Sequence, residues 1–289
     1  MPKNIQKTNY VVFILTHGRP ENVITYDTLM KQGFKWKIYF VIDDEDIKWD
    51  EYIAKFGKEN VIKFSKEEVA KTFDTFDNSD NRKTIVYARN ACFDIAKKLW
   101  VRYFIQLDDD YTRFEYVFTN DDKFCHKVTN SLDEIFEAMF KYFKSINALS
   151  IAMSQWWDFL GGAKWGFANS VNRKRKCMNS FFCDTERPFK FFWRINEDVN
   201  TYTTLGSRWN LFLTIPLISL IQNQTQSSAW GMTDVYKAWG TYLKSFFSVI
   251  SCPSSVKIAE MWSKHRRIHH KVNWERTNPK IIREEFLKK

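Results

Sequence analysis

Residues 104–111 read FIQLDDDY. The apolar stretch VRYFIQL (101–107) runs directly into three adjacent carboxylates, Asp108, Asp109 and Asp110. Its β-branched and aromatic content is that of a strand buried on both faces. Neighbouring like charges repel, so the triplet carries a cost unless a counter-charge lies opposite. Where the strand delivers these acids is decided by the elements around it.

Upstream, YVVFILT (10–16) is another continuous apolar run, followed by HGRPENV with Gly18 and Pro20 as a turn. Pro20 or Glu21 opens a helix that runs to about Gly33, its C-cap. KIYFVID (37–43) is a second buried strand ending on acids, 50–57 reads as helix, and VIKF (61–64) as a short strand. SKEEVAKTF (65–73) opens with a capping box, Ser65 and Glu68. DTFDNSDNR (74–82) is polar and turn-rich, a mobile loop. From Ile85 to Leu99 the apolar positions Ala88, Ala91, Cys92, Ile95 and Ala96 keep helical spacing. The alternation predicts an α/β sandwich of Rossmann type, with a mostly parallel central sheet and helices on both faces. Right-handed crossovers then place the C-terminal strand ends on one edge, where open α/β sheets bind ligands. His17 to Arg19, Asp43 to Asp46 and Asp108 to Asp110 all fall there.

Downstream, LDEIFEAMFKYF (132–143) is an amphipathic helix and ALSIAMS (148–154) a strand. Residues 155–180 mix tryptophan, glycine and the basic run RKRK (173–176). FKFFWRI (189–195) reads as a strand leading into NEDVNTY, and about 233–250 as a second amphipathic helix. The end of the chain is polar and basic, and no repeat or linker interrupts the sequence.

Of the 289 residues, 44% are hydrophobic and 17% aromatic, enough for a packed core. Lysine and arginine total 44 against 34 acidic residues, a net charge of +10. That excess suits a polyanionic partner, or simply a soluble basic protein. The N-terminus MPKNIQKTNY has no apolar signal core, and LFLTIPLISLI (211–221) is too short to span a bilayer and contains Pro216. A soluble protein with no membrane partner is expected. The five cysteines show no CxxC spacing and read as reduced cytoplasmic thiols, which argues against a disulfide framework or a zinc site.

Carboxylates closing a buried strand on a ligand edge suit a hard divalent cation, Mn2+ or Mg2+, with water and phosphate filling its other positions. Alternation sends Asp108 and Asp110 to one side and Asp109 to the other. The competing reading is a solvated acidic turn.

FILTHGRP (13–20), YARNACFDIAKKLWVRYFIQLDDDY (87–111) and INED (195–198), in that order, resemble the nucleotide-sugar glycosyltransferases of the GT-A fold. The form FILTHGRPENV and the aromatic-rich C-terminal part look closest to the TET-associated glycosyltransferases, which include phage enzymes that glycosylate hydroxymethylpyrimidines in DNA. The resemblance implies a UDP-sugar donor, with glucose or arabinose as the sugar, and a divalent metal. It also implies 5-hydroxymethylcytosine in DNA as acceptor and a cytoplasmic location, that of the host if the chain is phage-encoded. On this template 1–250 is the catalytic domain, with 10–110 the nucleotide-sugar half and 111–250 the acceptor half, and 251–289 is a basic extension. Thr16, His17, Gly18 and Arg19 match the uridine diphosphate loop, and Asp43 or Asp44 the acid that faces the base. Arg89 and Asn90 match the Ala-Arg-Asn element near the diphosphate. Asp108 and Asp110 match the metal-binding D-x-D, with Asp109 beside the donor. Asp198 matches the base of inverting members, with Glu197 second. A C-terminal histidine completes the metal shell in such enzymes; His265, His269 and His270 are candidates, and His269 is selected.

RKRK (Arg173, Lys174, Arg175, Lys176), flanked by aromatics, and HRRIHHK (265–271), with Arg266 and Arg267, read as DNA-contacting elements. Gly161 and Gly162 would permit close backbone approach to sugar or acceptor, or form a plain turn. Two other functions remain open: transfer to a polysaccharide or small molecule, which needs neither basic element, and a non-catalytic DNA-binding module on the same scaffold. The sugar, the anomeric outcome and the oligomeric state are not legible.

Overall fold

Strand β1 (Tyr10–Leu15) is buried at every position, as its unbroken apolar run demands. It lies parallel to β2 (Ile38–Asp43) on one side and to β4 (Tyr103–Asp108) on the other, and β2 is parallel to β3 (Val61–Phe64). Helices α1 (Ile24–Lys31), α2 (Trp49–Phe56), α3 (Lys66–Ala70) and α4 (Val86–Lys98) connect these strands. The Ser65 side chain caps α3 by accepting from the Glu68 N–H at 3.5 Å. The computed structural model describes residues 8–121, 123–159, 179–222, 233–262 and 266–277. RKRK, Gly161, Gly162 and His265 lie outside them.

Alternate residues of β1 enter two cores. Val12 and Ile14 meet Leu29 of α1, Tyr52 of α2 and the apolar face of α5 (Leu132–Ser145). Val11, Phe13 and Leu15 meet Ala91, Phe93 and Ile95 of α4, and Val199 and Tyr202 of α6 (Glu197–Ser207). Helices therefore cover both faces of one nine-stranded sheet, order β3-β2-β1-β4-β8-β7-β9-β5-β6.

The second half of that sheet is mixed. β8 (Ser180–Asp184) runs antiparallel between β4 and β7 (Ser150–Gln155), β9 (Phe212–Gln222) is parallel to β7, and β5 (Tyr111–Asn120) and β6 (Lys123–Val128) form an antiparallel hairpin at the far edge. Pro216 is tolerated in β9 because the register with β7 slips between Met153 and Ser154, opposite the segment from Ile215 to Ser219. The Ser154 hydroxyl donates to the Ile218 carbonyl at 2.9 Å in that bulge. Helix α7 (Thr233–Ser251) and the antiparallel hairpin β10 (Val256–Trp262) and β11 (Arg266–Val272) follow, then α8 (Trp274–Thr277). Val256 and Val272 are buried in the α4–α6 core. No helix among the described residues is long and apolar enough to cross a membrane.

One expectation needs correction. FKFFWRI (189–195) is not a strand. Trp193 (φ 63) and Asn196 (φ 55) occupy the left-handed region, which a strand cannot contain. The place beside β4 goes to β8 instead, and side chains satisfy the segment's backbone. The Phe191 N–H donates to Asn90 Oδ1 (2.8 Å) and the Phe192 N–H to Thr201 Oγ1 (3.0 Å). In the polar stretch 74–82, two residues meet the segment 193–194 and α7. Arg194 forms a forked ion pair with Asp77, its Nη2 2.7 Å from Oδ2, and Phe76 packs on Trp193 and Phe247.

Gly33 ends α1 at φ +83, and a Cβ there would overlap the Asn130 carbonyl oxygen. Gly33→Ala is expected to destabilise the fold by more than about 1 kcal/mol, seen as a lower urea midpoint with an unchanged slope.

Candidate active site

The loops after β1, β2 and β4 and the start of α6 meet at the C-terminal edge of the parallel strands. In the first two loops, His17 Nδ1 lies 2.7 Å from Asp43 Oδ2, and the Gly18 N–H donates to Asp46 Oδ2 at 2.7 Å. Gly18 has φ 71, a backbone conformation that suits glycine. Lys66 Nζ, buried at the start of α3, is 3.0 Å from the other oxygen of Asp43. Burial pushes the Asp43 carboxyl up, but the His17 hydrogen bond and the Lys66 ammonium outweigh it and hold the group below its ordinary value. Asp44 is exposed and turns the other way, accepting the Lys66 N–H at 3.0 Å.

The three acids after β4 have separate fates. Asp109 is 1% exposed and points inward. Arg19 grips it through two bonds, Nε to Oδ2 at 2.7 Å and Nη2 to Oδ1 at 2.6 Å, and the Thr16 hydroxyl donates to Oδ2 at 2.6 Å. Tyr52, whose hydroxyl accepts the Arg19 N–H at 3.0 Å, closes this brace. Thr16, Arg19 and Asp109 thus hold the β1 and β4 loops to one another.

Asp108 turns toward Arg89 instead. Arg89, 1% exposed, places Nη2 3.0 Å from Asp108 Oδ1 and Nε 3.1 Å from Glu197 Oε1. Its guanidinium lies over the rings of Phe181 (4.9 Å) and Phe191 (5.7 Å). Asn90 takes both backbone groups of Phe191, accepting its N–H and donating to its carbonyl at 3.1 Å. Asp198, beside Glu197 and half-buried, accepts the Val199 N–H through Oδ1 at 2.7 Å.

One arginine does not balance this charge. Burial raises the Asp108 carboxyl to about 7, opposed by Arg89 and reinforced by Asp110 and Asp109. Burial and the Asp109 charge raise Asp110 to about 6. Glu197 rises to about 7 through burial and the Asp198 charge, against the pull of Arg89.

Elsewhere, His269 stands on β11 opposite Ala259, its ring 4.3 Å from that of His270. Among the described residues no three His, Cys, Asp or Glu side chains gather into a metal-holding group, so His269 is not brought together with Asp108 and Asp110. Arg266 pairs with Glu260, Nε to Oε2 at 2.8 Å, and Arg267 is exposed opposite Met261. Sequence reasoning missed Tyr52, Asp46 as a partner of Gly18, and Lys66. Lys66 carried a signal: it opens the helix just past the third strand, on the ligand edge.

The raised Asp108 and Glu197 values lie above the ordinary carboxylate range of about 4. At these two groups the folded chain binds more protons than the unfolded one between about pH 4 and 7, and they make stability fall as pH rises through that window. Asp108→Asn removes its share of the slope. In urea unfolding without divalent cations, the variant should gain on the wild type steadily from pH 5 to about 7.5. A pH-independent difference would refute a raised Asp108.

A family model described as TET-Associated Glycosyltransferase matches residues 10–231. No curated protein matches the chain. Among solved structures, glucosyl-3-phosphoglycerate synthase from Mycobacterium tuberculosis, in complex with Mg2+ and uridine diphosphate, aligns with a TM-score of 0.47 at 7% identity, covering 92% of this chain and 88% of that one. The mannosyltransferase PcManGT from Pyrobaculum calidifontis, in complex with GDP-Man and Mn2+, aligns with a TM-score of 0.45 at 11% identity over 77% of this chain and 60% of that one. S. aureus TarS in complex with UDP aligns with a TM-score of 0.43 at 10% identity over 73% and 60%. The family match takes in the three strand-end loops, Arg89 and the start of α6, and the chain belongs to the TET-associated glycosyltransferases.

Proposed function

We propose that this glycosyltransferase moves glucose or arabinose from a UDP-sugar to 5-hydroxymethylcytosine in DNA, with Mn2+ or Mg2+ at the edge formed by Asp108 and Asp110. The observation that carries the reading is one sheet edge holding the His17–Asp43 pair, the carboxylates after β4, and Glu197 with Asp198 across Arg89. Two hard oxygen donors with an incompletely offset buried charge fit such a cation, whose other positions go to water and phosphate. When bound, it would neutralise charge developing on the diphosphate leaving group.

The chain's own residues do the rest. His17 and Asp43 offer hydrogen bonds for the donor base, and Gly18 lets the backbone approach it. Arg19 acts through Asp109, fixing the turn that carries Asp110. Arg89 sets Asp108 and Glu197 at a constant separation. Asp198 keeps Oδ2 clear of the Val199 bond and takes the acceptor hydroxyl proton. A DNA acceptor is supported by the family match and by the net charge of +10. Arg266, Arg267 and the RKRK run supply candidate phosphate contacts.

Mass spectrometry of hydroxymethylated DNA incubated with a panel of UDP-sugars tests this. One added hexose or pentose is expected, lost in EDTA and restored by Mn2+ or Mg2+. Transfer undiminished in EDTA would remove the metal from the mechanism, and transfer only to a polysaccharide or small molecule would replace the acceptor. Asp198→Asn should lower kcat by about 10²–10⁴-fold with donor affinity kept; near-normal turnover would move the proton to Glu197.

A further inference from the structure

Helix α1 ends in a Schellman motif with glycine at the left-handed position. The Gly33 N–H donates to the Met30 carbonyl (3.3 Å) and the Phe34 N–H to Leu29 (3.0 Å). Helices α4 and α6 end in the same motif, but with tryptophan in glycine's place. The Trp100 N–H donates to Lys97 (3.1 Å) and Val101 to Ala96 (2.9 Å), with Trp100 at φ 55. The Trp209 N–H donates to Gly206 (3.1 Å) and Asn210 to Leu205 (3.0 Å), with Trp209 at φ 70. A large side chain is disfavoured there. Burial does not offset the cost, since Trp100 is 94% exposed and Trp209 66%.

The two indoles share an edge. Trp100 lies just before β4, which starts at Tyr103, and Trp209 just before β9, which starts at Phe212. These strands point the same way and are separated by β8 and β7, three strand spacings or about 14 Å. Both tryptophans therefore emerge at the N-terminal strand edge, opposite the donor loops, from helices packed in one core. Lys97, Lys98 and Arg208 adjoin them and are exposed. On the same edge an open cleft of about 330 Å³ is lined by Arg102, Lys144 and Arg187. Arg187 is engaged by Asp184 and by the carbonyls of Ile146 and Ala148, and Arg102 by Asp184 and Glu186. Lys144 is exposed, with its Nζ 3.4 Å from the Thr8 hydroxyl and over the Tyr103 ring.

The geometry points to a second contact surface, for single-stranded nucleic acid: unpaired bases stack on Trp100 and Trp209 while Lys97, Lys98 and Arg208 meet the phosphates. A duplex exposes base faces only at its ends, so outward indoles suit an unpaired strand. The surface is remote from the donor edge and stands whether or not DNA is the sugar acceptor.

The test uses the full chain without donor and a fluorescently labelled, unmodified oligothymidylate, read by anisotropy over a salt series. The wild type is expected to bind. Trp100→Gly and Trp209→Gly should each weaken binding about tenfold with Tm unchanged or raised, because glycine suits the left-handed position. Trp→Phe, which keeps a stacking face, should retain most of the affinity. Lys97→Gln with Lys98→Gln should flatten the slope of log K against log salt by about 1.4. Absent wild-type binding, or unchanged affinity in the double glycine variant, would overturn the inference and leave the indoles to a protein partner. A loss of affinity that tracks a lowered Tm would overturn it too, since the tryptophans would then be structural.

Discussion

Arg89 is a guanidinium with almost no solvent, held between a carboxylate that ends β4 and one that starts α6. A buried charge of this kind is tolerated only with close partners, and removing one partner leaves the others stranded in a low-dielectric interior. Five parts of the chain are bound to this requirement. Helix α4 supplies Arg89, β4 and α6 supply its counter-charges, and Phe181 of β8 and Phe191 supply the ring faces over which it lies. Asn90, its neighbour in α4, clamps the backbone of Phe191 and so holds that face in position. The irregular path from Phe189 to Asn196 follows from this. A strand there would point its backbone groups at a neighbouring strand rather than at Asn90 and Thr201.

A second brace sorts the acidic triplet. Asp109 is consumed by Arg19 and Thr16 inside the fold, leaving Asp108 and Asp110 to the edge. The inward acid has its charge matched by a forked arginine, the strongest geometry a carboxylate can find in a protein. The other two are pushed well above their ordinary range because burial and the neighbouring carboxylates exceed what Arg89 offsets at Asp108 and Arg19 at Asp110. Carboxyl groups displaced this far by burial and by one another are a common feature of functional sites.

Two groups of left-handed residues differ in what holds them. Gly18, Trp193 and Asn196 turn the chain around the C-terminal strand edge and the start of α6, and Asn196 is anchored by the Lys244 carbonyl (2.6 Å) and Ser248 (2.9 Å) of α7. Trp100 and Trp209 sit on the opposite edge, in turns closed by hydrogen bonds to their own helix ends, and are exposed. The first group is compelled by tertiary partners. The second keeps its left-handed turns while exposing its indoles, the observation on which the proposed contact surface rests.

What the sequence by itself determined was local and periodic. β1, β2 and β3, helices α4 and α5, and the edge on which the strand-end acids gather were legible, because burial on both faces writes a continuous apolar run and an amphipathic helix writes a 3.6-residue spacing. The hairpin β5–β6 and strand β8 were not, since SFFCD (180–184) follows a stretch of mixed tryptophan, glycine and basic residues that sets no period, and β6 is largely exposed. Arg19 and Arg89 looked alike as cations near a ligand edge. Which acid each one meets depends on how the β1 loop, α4 and α6 are brought together in space. Only the tertiary structure decided that Arg19 braces Asp109 and that Arg89 joins Asp108 to Glu197, because the partner of a buried charge is chosen by distance and desolvation across the fold, not by spacing along the chain.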